Sequence, residues 1–374
     1  MGFNTAGFGS VKGKPELTGL PFLLALNLPE LKKFFEVIRL KRMIAFISAL
    51  IVFLGVAFVM TGKTTATKTT STKKVPTVGI LQLQTHPALD AIHRGVVAGL
   101  KEYGYVDGKT VKIDYQNAQG DQSNLKTMSQ KFMNENAALT VGIATPAAQA
   151  LASAANKQTP VMLAGITDPS GSGLIKSDQH PGANITGTSG ESPLKSHLDL
   201  LRKLVPSAKT IGIIYTTSDH GGEYNAKKFA RICKQEGVKY KLYTISNTND
   251  MQQVAETMAA NVDAVYAPQD NGVASAMKTL VSVTNKAKVP VIPAVDTMVK
   301  AGGLATLSVD QYQLGKLTGE MAAQVLKGKA TSDYPIKVIT KGKMTINLSE
   351  AKKLGIKFPA SVLKEAKAKG VIYK

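Results

Sequence analysis

The chain has 374 residues, 44% of them hydrophobic, which is enough for two cored domains. Its formal charge is +20, yet only five of its 46 cationic residues are arginine, and it contains no tryptophan. Arginine dominates bidentate contacts to phosphates and bases, whereas lysine favours solvated faces. The balance therefore argues against nucleic acid as a partner and for a basic solvated surface, one that also suits an anionic membrane face or cell wall.

Residues 1–42 do not read as part of a domain. Gly and Pro are scattered through the first thirty, and Leu28, Leu31, Phe34, Phe35 and Ile38 then recur at helical spacing. This leader fits either a membrane-surface helix or a stretch upstream of the true start, for which Leu40-Lys41-Arg42 would serve. Residues 43–60 form an uncharged run of eighteen residues from Met43 to Met60, preceded by Lys41 and Arg42. That length is just sufficient to span a bilayer and long for a signal-peptide core, and no clear cleavage site ends it. The expectation is a signal or anchor helix that is retained, with the bulk of the chain outside the cytoplasm; cleavage would give a secreted protein. No cysteine follows to carry a lipid. Residues 61–76, rich in Thr and Lys, read as a flexible tether.

From residue 77 the chain runs one plan twice. The first copy opens with Val78-Gly79-Ile80-Leu81 and closes with Pro160-Val161-Met162-Leu163. The second opens with Ile211-Gly212-Ile213-Ile214 and closes with Pro290-Val291-Ile292. Each has a short apolar strand, a polar turn and a long helix ending near a glycine (Gly104, Gly237), followed by further strand–helix pairs. A fixed order of buried strands and crossover helices predicts α/β architecture with two similar doubly wound parallel-sheet lobes and a ligand cleft between them. The expected lobes are 77–190 with 308–331, and 191–307 with 332–374.

Cofactor and catalytic motifs are not found. Gly171-Ser172-Gly173 is the nearest approach to a dinucleotide fingerprint, but Lys176 stands where the third glycine belongs. There is no P-loop, HExxH, CxxC or GxSxG, and the five histidines, His86, His93, His180, His197 and His220, form no pair at short ligand spacing. The lone Cys233 can make neither an intrachain disulfide nor a cysteine-built zinc site, and reads as a buried thiol. No catalytic residue, metal or cofactor is expected. What remains is a set of hydrogen-bonding groups at strand C-terminal ends: Thr85 and His86, Thr145, Thr167, Thr217 and Ser218, and Asn271, with the acids Asp168, Asp219, Asp270 and Asp296. Each alone is an ordinary helix cap or turn residue. Their recurrence at turns facing one cleft points to a ligand. Thr145-Pro146-Ala147 in particular opens a helix whose first amides would welcome an anion.

Several stretches together resemble a known family. They are Val78-Gly79-Ile80 with His86-Pro87-Ala88-Leu89-Asp90, Thr145-Pro146-Ala147-Ala148-Gln149-Ala150-Leu151-Ala152, Thr167-Asp168-Pro169, Asn184-Ile185-Thr186-Gly187, Asp270-Asn271, and Asp310-Gln311 with Leu314-Gly315. In this order they resemble the substrate-binding proteins of ABC importers, in the subgroup assigned to tryptophan and tyrosine uptake, over roughly residues 75–329. The resemblance implies a type I periplasmic-binding-protein-like fold, with three segments crossing between lobes near Ser189–Ser192, Ala305–Val309 and Ala330–Tyr334. It implies a monomer that binds a free aromatic amino acid and hands it to an ABC permease in the membrane. Thr145, the Thr167-Asp168 turn, the Thr217-Ser218 turn and Asp270-Asn271 sit at matching positions. Thr145 to Ala147 and Thr217-Ser218 are the expected carboxylate partners, and Asp270 the expected partner of the ammonium. Asp296 departs from the family pattern, as does the missing lipoprotein cysteine. The alternatives are the ectodomain of a sensor or an enzyme on the same two lobes.

Overall fold

The computed structural model describes residues 28–61, 75–155, 157–340 and 342–374. The expected leader up to residue 27 and the expected tether from 62 to 74 lie outside the described residues. Helix α1, Leu28–Thr61, is one unbroken element, with side chains described for residues 36–56. It runs through both the amphipathic stretch and the apolar run. Met43, Ile44, Phe46, Val52 and Phe53 on it are exposed. Among the described residues no helix is long and apolar enough to cross a membrane.

Lys74–Lys374 is a separate compact unit. In chain order it reads β1 (Thr77–Gln82), α2 (Pro87–Glu102), β2 (Lys112–Asn117), α3 (Gln122–Asn134), β3 (Leu139–Ile143), α4 (Thr145–Ala154), β4 (Val161–Ile166) and β5 (Ile185–Gly190). There follow α5 (Leu194–Leu204), β6 (Thr210–Thr216), α6 (His220–Gln235), β7 (Lys239–Ile245), α7 (Met251–Ala259), β8 (Ala264–Ala267), α8 (Asn271–Ser275), α9 (Met277–Lys286) and β9 (Val291–Pro293). The chain ends with α10 (Asp296–Lys300), β10 (Ala305–Ser308), α11 (Gln311–Leu326), β11 (Lys337–Ile339), β12 (Lys343–Asn347), α12 (Leu348–Leu354), α13 (Ala360–Lys369) and β13 (Val371–Tyr373).

Two parallel sheets result, as the repeated plan predicts. The first has the order β11-β5-β4-β3-β1-β2, the second β7-β6-β8-β9. Inner strands such as Leu-Thr-Val-Gly-Ile of β3 and Val-Met-Leu-Ala-Gly-Ile of β4 are covered on both faces by helices and so read as near-continuous apolar runs. The edge strands β2 and β7 carry Lys112, Lys239 and Lys241 and are partly exposed. A third, small sheet, β10-β12-β13, joins β10 to β12 antiparallel; the sequence gives no forewarning of β12 or β13. Each large sheet has its own hydrophobic cluster, and a third cluster lies under the small sheet.

One feature corrects the expected lobe boundaries, and it lies just beyond helix α11, which sits in the first lobe as expected. Helix α11 packs on α2, β4 and β5 in the first lobe. Strand β11 then pairs parallel with β5, and Tyr334 and Ile336 enter the first core. Residues 332–339 therefore belong with the first lobe and not the second, and the third crossing falls between β11 and β12 instead of at Ala330–Tyr334. The α2–α11 contact is backbone to backbone. Gly95 and Gly99 face Gly315 and Gly319, and a Cβ at any of the four would overlap a main-chain atom of the other helix.

His197 on α5 is fully buried, with Nε2 2.8 Å from the Leu307 carbonyl and Nδ1 3.0 Å from the Tyr266 hydroxyl. The carbonyl makes Nε2 a donor, and in the neutral ring that burial favours Nδ1 accepts from the tyrosine. Burial pushes its pKa from 6.5 down to about 4. Because the folded state binds the proton less readily than the unfolded state, stability is complete above pH 6.5 and is lost as pH falls towards 4, by on the order of 3 kcal/mol. Denaturant titrations between these pH values should show that slope in the parent, and a flattened one in His197→Gln. An equal slope in both would assign the acid sensitivity elsewhere.

Candidate functional site

The C-terminal ends of the two large sheets face each other across a cleft. On the first lobe, β3 ends at Ala144, whose φ of 76° and ψ of 153° lie in a region that side chains other than glycine rarely occupy. Such a conformation costs about 1–3 kcal/mol. It turns the chain directly into α4, with Pro146 in the first turn and no side chain capping the helix start. No side chain satisfies the first amides of α4, and a negative charge is favoured at such a helix start. On the second lobe, β6 leads through Thr217 and Ser218 to α6, which opens His220-Gly221-Gly222 and is capped by Asp219 accepting from Gly222 N at 3.0 Å. A Cβ on Gly221 would stand 3.1 Å from Thr167 Oγ1 and 3.4 Å from Thr145 Oγ1, so the glycine lets the start of α6 come up to the first lobe.

A cavity of about 310 Å³ lies at this meeting point. Thr145, Gln149, Asp168, Gly171 and Ser172 line it from one lobe, and His220, Gly221, Glu223, Tyr224 and Lys227 from the other. Beside it, sharing Gln149 and His220, a groove of about 610 Å³ runs between α3 and α4 over Leu125, Pro146 and Ala150. A third hollow of about 220 Å³ adds Gln84, Asp219 and Asn271. Asp168 Oδ1 accepts from Gly171 N at 3.0 Å and more loosely from the Ser170 hydroxyl at 3.4 Å. Its Oδ2 has no donor among the described residues.

The lobes are also bridged directly. Gln84 Nε2 donates to Asn271 O at 2.8 Å and to Ser275 Oγ at 2.9 Å, and His86 Nε2 lies 3.0 Å from Asn271 Oδ1. Asn271 Nδ2 in turn donates to Asp219 at 2.5 Å. Burial holds the His86 imidazole below its ordinary pKa, which suits a neutral ring in this bridge.

The residues singled out in the sequence divide accordingly. Thr145, Pro146, Asp168 and Ser218 line the cleft cavities. Thr167 stands at the contact of the lobes, and His86 and Asn271 form the bridge. Thr85 is exposed and accepts from Asn117 Nδ2 at 2.9 Å, and Thr217 is exposed; neither lines a cleft cavity. The Ala147 side chain is fully buried in the first core. Asp296 sits by the crossings, its amide donating to Ser308 Oγ at 3.2 Å with Asp310 and Lys343 nearby, and burial raises its pKa.

Asp270 differs most from expectation. It is buried, and its carboxylate accepts from Thr216 N and Thr216 Oγ1, both at 2.7 Å, and from Val273 N at 2.8 Å. It thus caps α8 and ties β8 to β6. Burial, and then the neighbouring Asp219 carboxylate, push its pKa up to about 7, against three hydrogen bonds that pull it back. Gln149, His220, Gly221 and Tyr224 line the cavity without having been singled out. The available signals were Gln149 one turn beyond Thr145, and a Gly-Gly pair opening a helix directly after a strand-end aspartate.

Residues 77–369 match the family described as ABC transporter substrate binding protein. The chain belongs to this family. A Tyrosine-binding protein of Clostridioides difficile is 35% identical over 287 residues, 77% of this chain and 83% of that protein. An ABC domain from Streptococcus pneumonia, solved in complex with L-Trp, is 41% identical with a TM-score of 0.76 and covers 79% of this chain and 99% of its own. The ligand-free, open structure of a substrate binding protein with adhesive properties from Clostridium difficile is 33% identical with a TM-score of 0.62, covering 80% and 99%.

Proposed function

We propose that this chain is the extracytoplasmic substrate-binding component of an ABC importer, and that it holds a free aromatic amino acid, tryptophan or tyrosine, between its lobes. One observation carries this: the uncapped start of α4 and the Asp168 carboxylate, one oxygen of which has no donor among the described residues, line a single cavity between the lobes. A zwitterion leaving water needs a partner for each charge. The amides opening α4, with the Thr145 hydroxyl, suit its carboxylate; Asp168 suits its ammonium. The groove between α3 and α4 offers apolar wall for a ring. The likeness in TM-score is greater to the L-Trp complex than to the open form, which favours a closed arrangement here. Ligand contacts made by both lobes would favour closure, and the closed form is what a membrane permease would recognise. The role is binding without turnover, by a monomer without a cofactor. The uncharged run that begins at Met43 within α1, preceded by Lys41 and Arg42, supports retention at the membrane.

Residues 75–374 should melt at higher temperature with L-tryptophan or L-tyrosine, the shift growing as RT ln(1 + [L]/Kd), and should be indifferent to nicotinamide or adenine nucleotides. Stabilisation by nucleotides alone would remove the receptor reading. The full chain should sediment with membranes; a soluble form starting between residues 61 and 77 would show that the anchor is cleaved.

A further inference from the structure

The positive charge of the folded unit is segregated. Residues 75–190 hold eight cationic and eight acidic residues, whereas residues 341–374, most of them folded onto the second lobe, hold nine lysines and two glutamates. The strands of the second sheet run parallel, so their N-terminal ends share the edge remote from the cleft. Lys239 opens β7, Lys209 precedes β6, and Lys286 and Lys288 precede β9, all exposed. Lys288 Nζ donates to the Lys353 carbonyl at 2.8 Å, which brings the end of α12, with exposed Lys352 and Lys357, onto the same edge. The acids there are occupied. Asp263 accepts from the amides of Lys209 and Thr210, both at 2.8 Å, and Glu236 pairs with Lys195 and Arg202. Lysines at helix ends complement the helix dipole one by one, but that does not account for so few free carboxylates between them.

We infer that this edge of the second lobe is a docking surface for an anionic phospholipid bilayer. Two observations favour a bilayer over a soluble polyanion. A hollow of about 420 Å³ on the edge is lined by the apolar Leu201, Val205, Pro206 and Ala208 together with Lys209 and Lys239, and with Arg202, which stays paired to Glu236; lysines beside apolar surface match a phosphate headgroup above its glycerol and acyl carbons. The cations are also mainly lysines, point charges on long apolar stems that suit a diffuse charged interface better than bidentate recognition of one phosphate. The cleft lies at the opposite edge of the sheet, so docking leaves ligand entry open.

Residues 75–374 are a suitable probe, since the compact unit has its own cores and the solved relatives correspond to this extent. They should co-sediment with phosphatidylcholine vesicles containing a third phosphatidylglycerol. Binding should weaken at least about tenfold on pure phosphatidylcholine, and likewise in near-molar salt, where the screening length falls to about 3 Å. The combined variant Lys209→Glu/Lys239→Glu/Lys352→Glu/Lys357→Glu should keep its circular dichroism spectrum and melting temperature but lose at least about tenfold in vesicle binding. Equal binding to both vesicle types, undiminished binding by the variant, or capture by soluble polyphosphate without vesicle binding would each overturn the inference. None of these readouts depends on the cleft ligand.

Discussion

Asp168→Asn is expected to weaken binding of L-tryptophan or L-tyrosine roughly ten- to a hundredfold. A hydrogen bond to a charged group contributes about 1.5–3 kcal/mol, and each 1.4 kcal/mol is a factor of about ten. Asp168 sits on the wall of the cleft cavity with one carboxylate oxygen free, so it can receive an ammonium without giving up the Gly171 amide. Asp270→Asn should behave in the opposite way. Its carboxylate faces two donors on Thr216 and the Val273 amide, and an amide side chain there turns a nitrogen towards at least one of them. The cost should fall on the fold, at about 1–3 kcal/mol for a buried donor left unpaired, with little change in affinity. Calorimetric titration and denaturant melts of both variants separate the cases. An Asp270→Asn protein that melts like the parent but binds tenfold less would return the ammonium to Asp270.

The contrast between these aspartates shows what was legible in the sequence. Both are strand-end acids, and that placement is readable from apolar runs ending at polar turns. Whether the carboxylate is free is not readable, because it depends on partners in another strand. Asp270 is consumed by Thr216 only because β6 lies next to β8 in the sheet and a helix restarts at Asn271. The same limit applies to Ala147, which shares a motif with Thr145 yet points into the core. It applies also to Thr217, which lies outside the cleft cavities while its neighbour Ser218 lines two of them. Two large parallel sheets follow from the order of buried strands and crossover helices. The lobe to which β11 belongs does not, since three partly exposed residues carry no pattern and only their pairing with β5 decides it.

Gly315→Ala is expected to destabilise residues 75–374 by up to roughly 2 kcal/mol, the upper end of an overpacking cost less the helix-propensity gain. Alanine in a helix interior gains about 1 kcal/mol over glycine, but here its Cβ would meet the Ile92 carbonyl, a main-chain atom that cannot rotate away. The helices must part along their whole contact, and overpacking of this kind typically costs about 1–3 kcal/mol and sometimes more. Gly315→Leu should exceed that and prevent α11 from seating. Urea denaturation of the purified unit checks this; a Gly315→Ala protein as stable as the parent would show that α2 and α11 can separate without penalty. The Gly-x-x-x-Gly spacing is visible in both helices, but their partnership required knowing that α11 crosses back to the first lobe.

That crossing sets an order of events during synthesis. The face of α2 built around Gly95 and Gly99 waits for a partner encoded roughly two hundred residues later. At ribosomal speeds of about 5–20 residues per second this is a delay of some 10–40 s. The second parallel sheet has all four of its strands in an uninterrupted stretch from β6 to β9 and can close on itself meanwhile. The nascent chain therefore carries an unfinished amino-terminal half beside a nearly finished later one, the reverse of simple front-to-back folding. During that interval the uncovered seam of α2 is where a holding chaperone has most to shield.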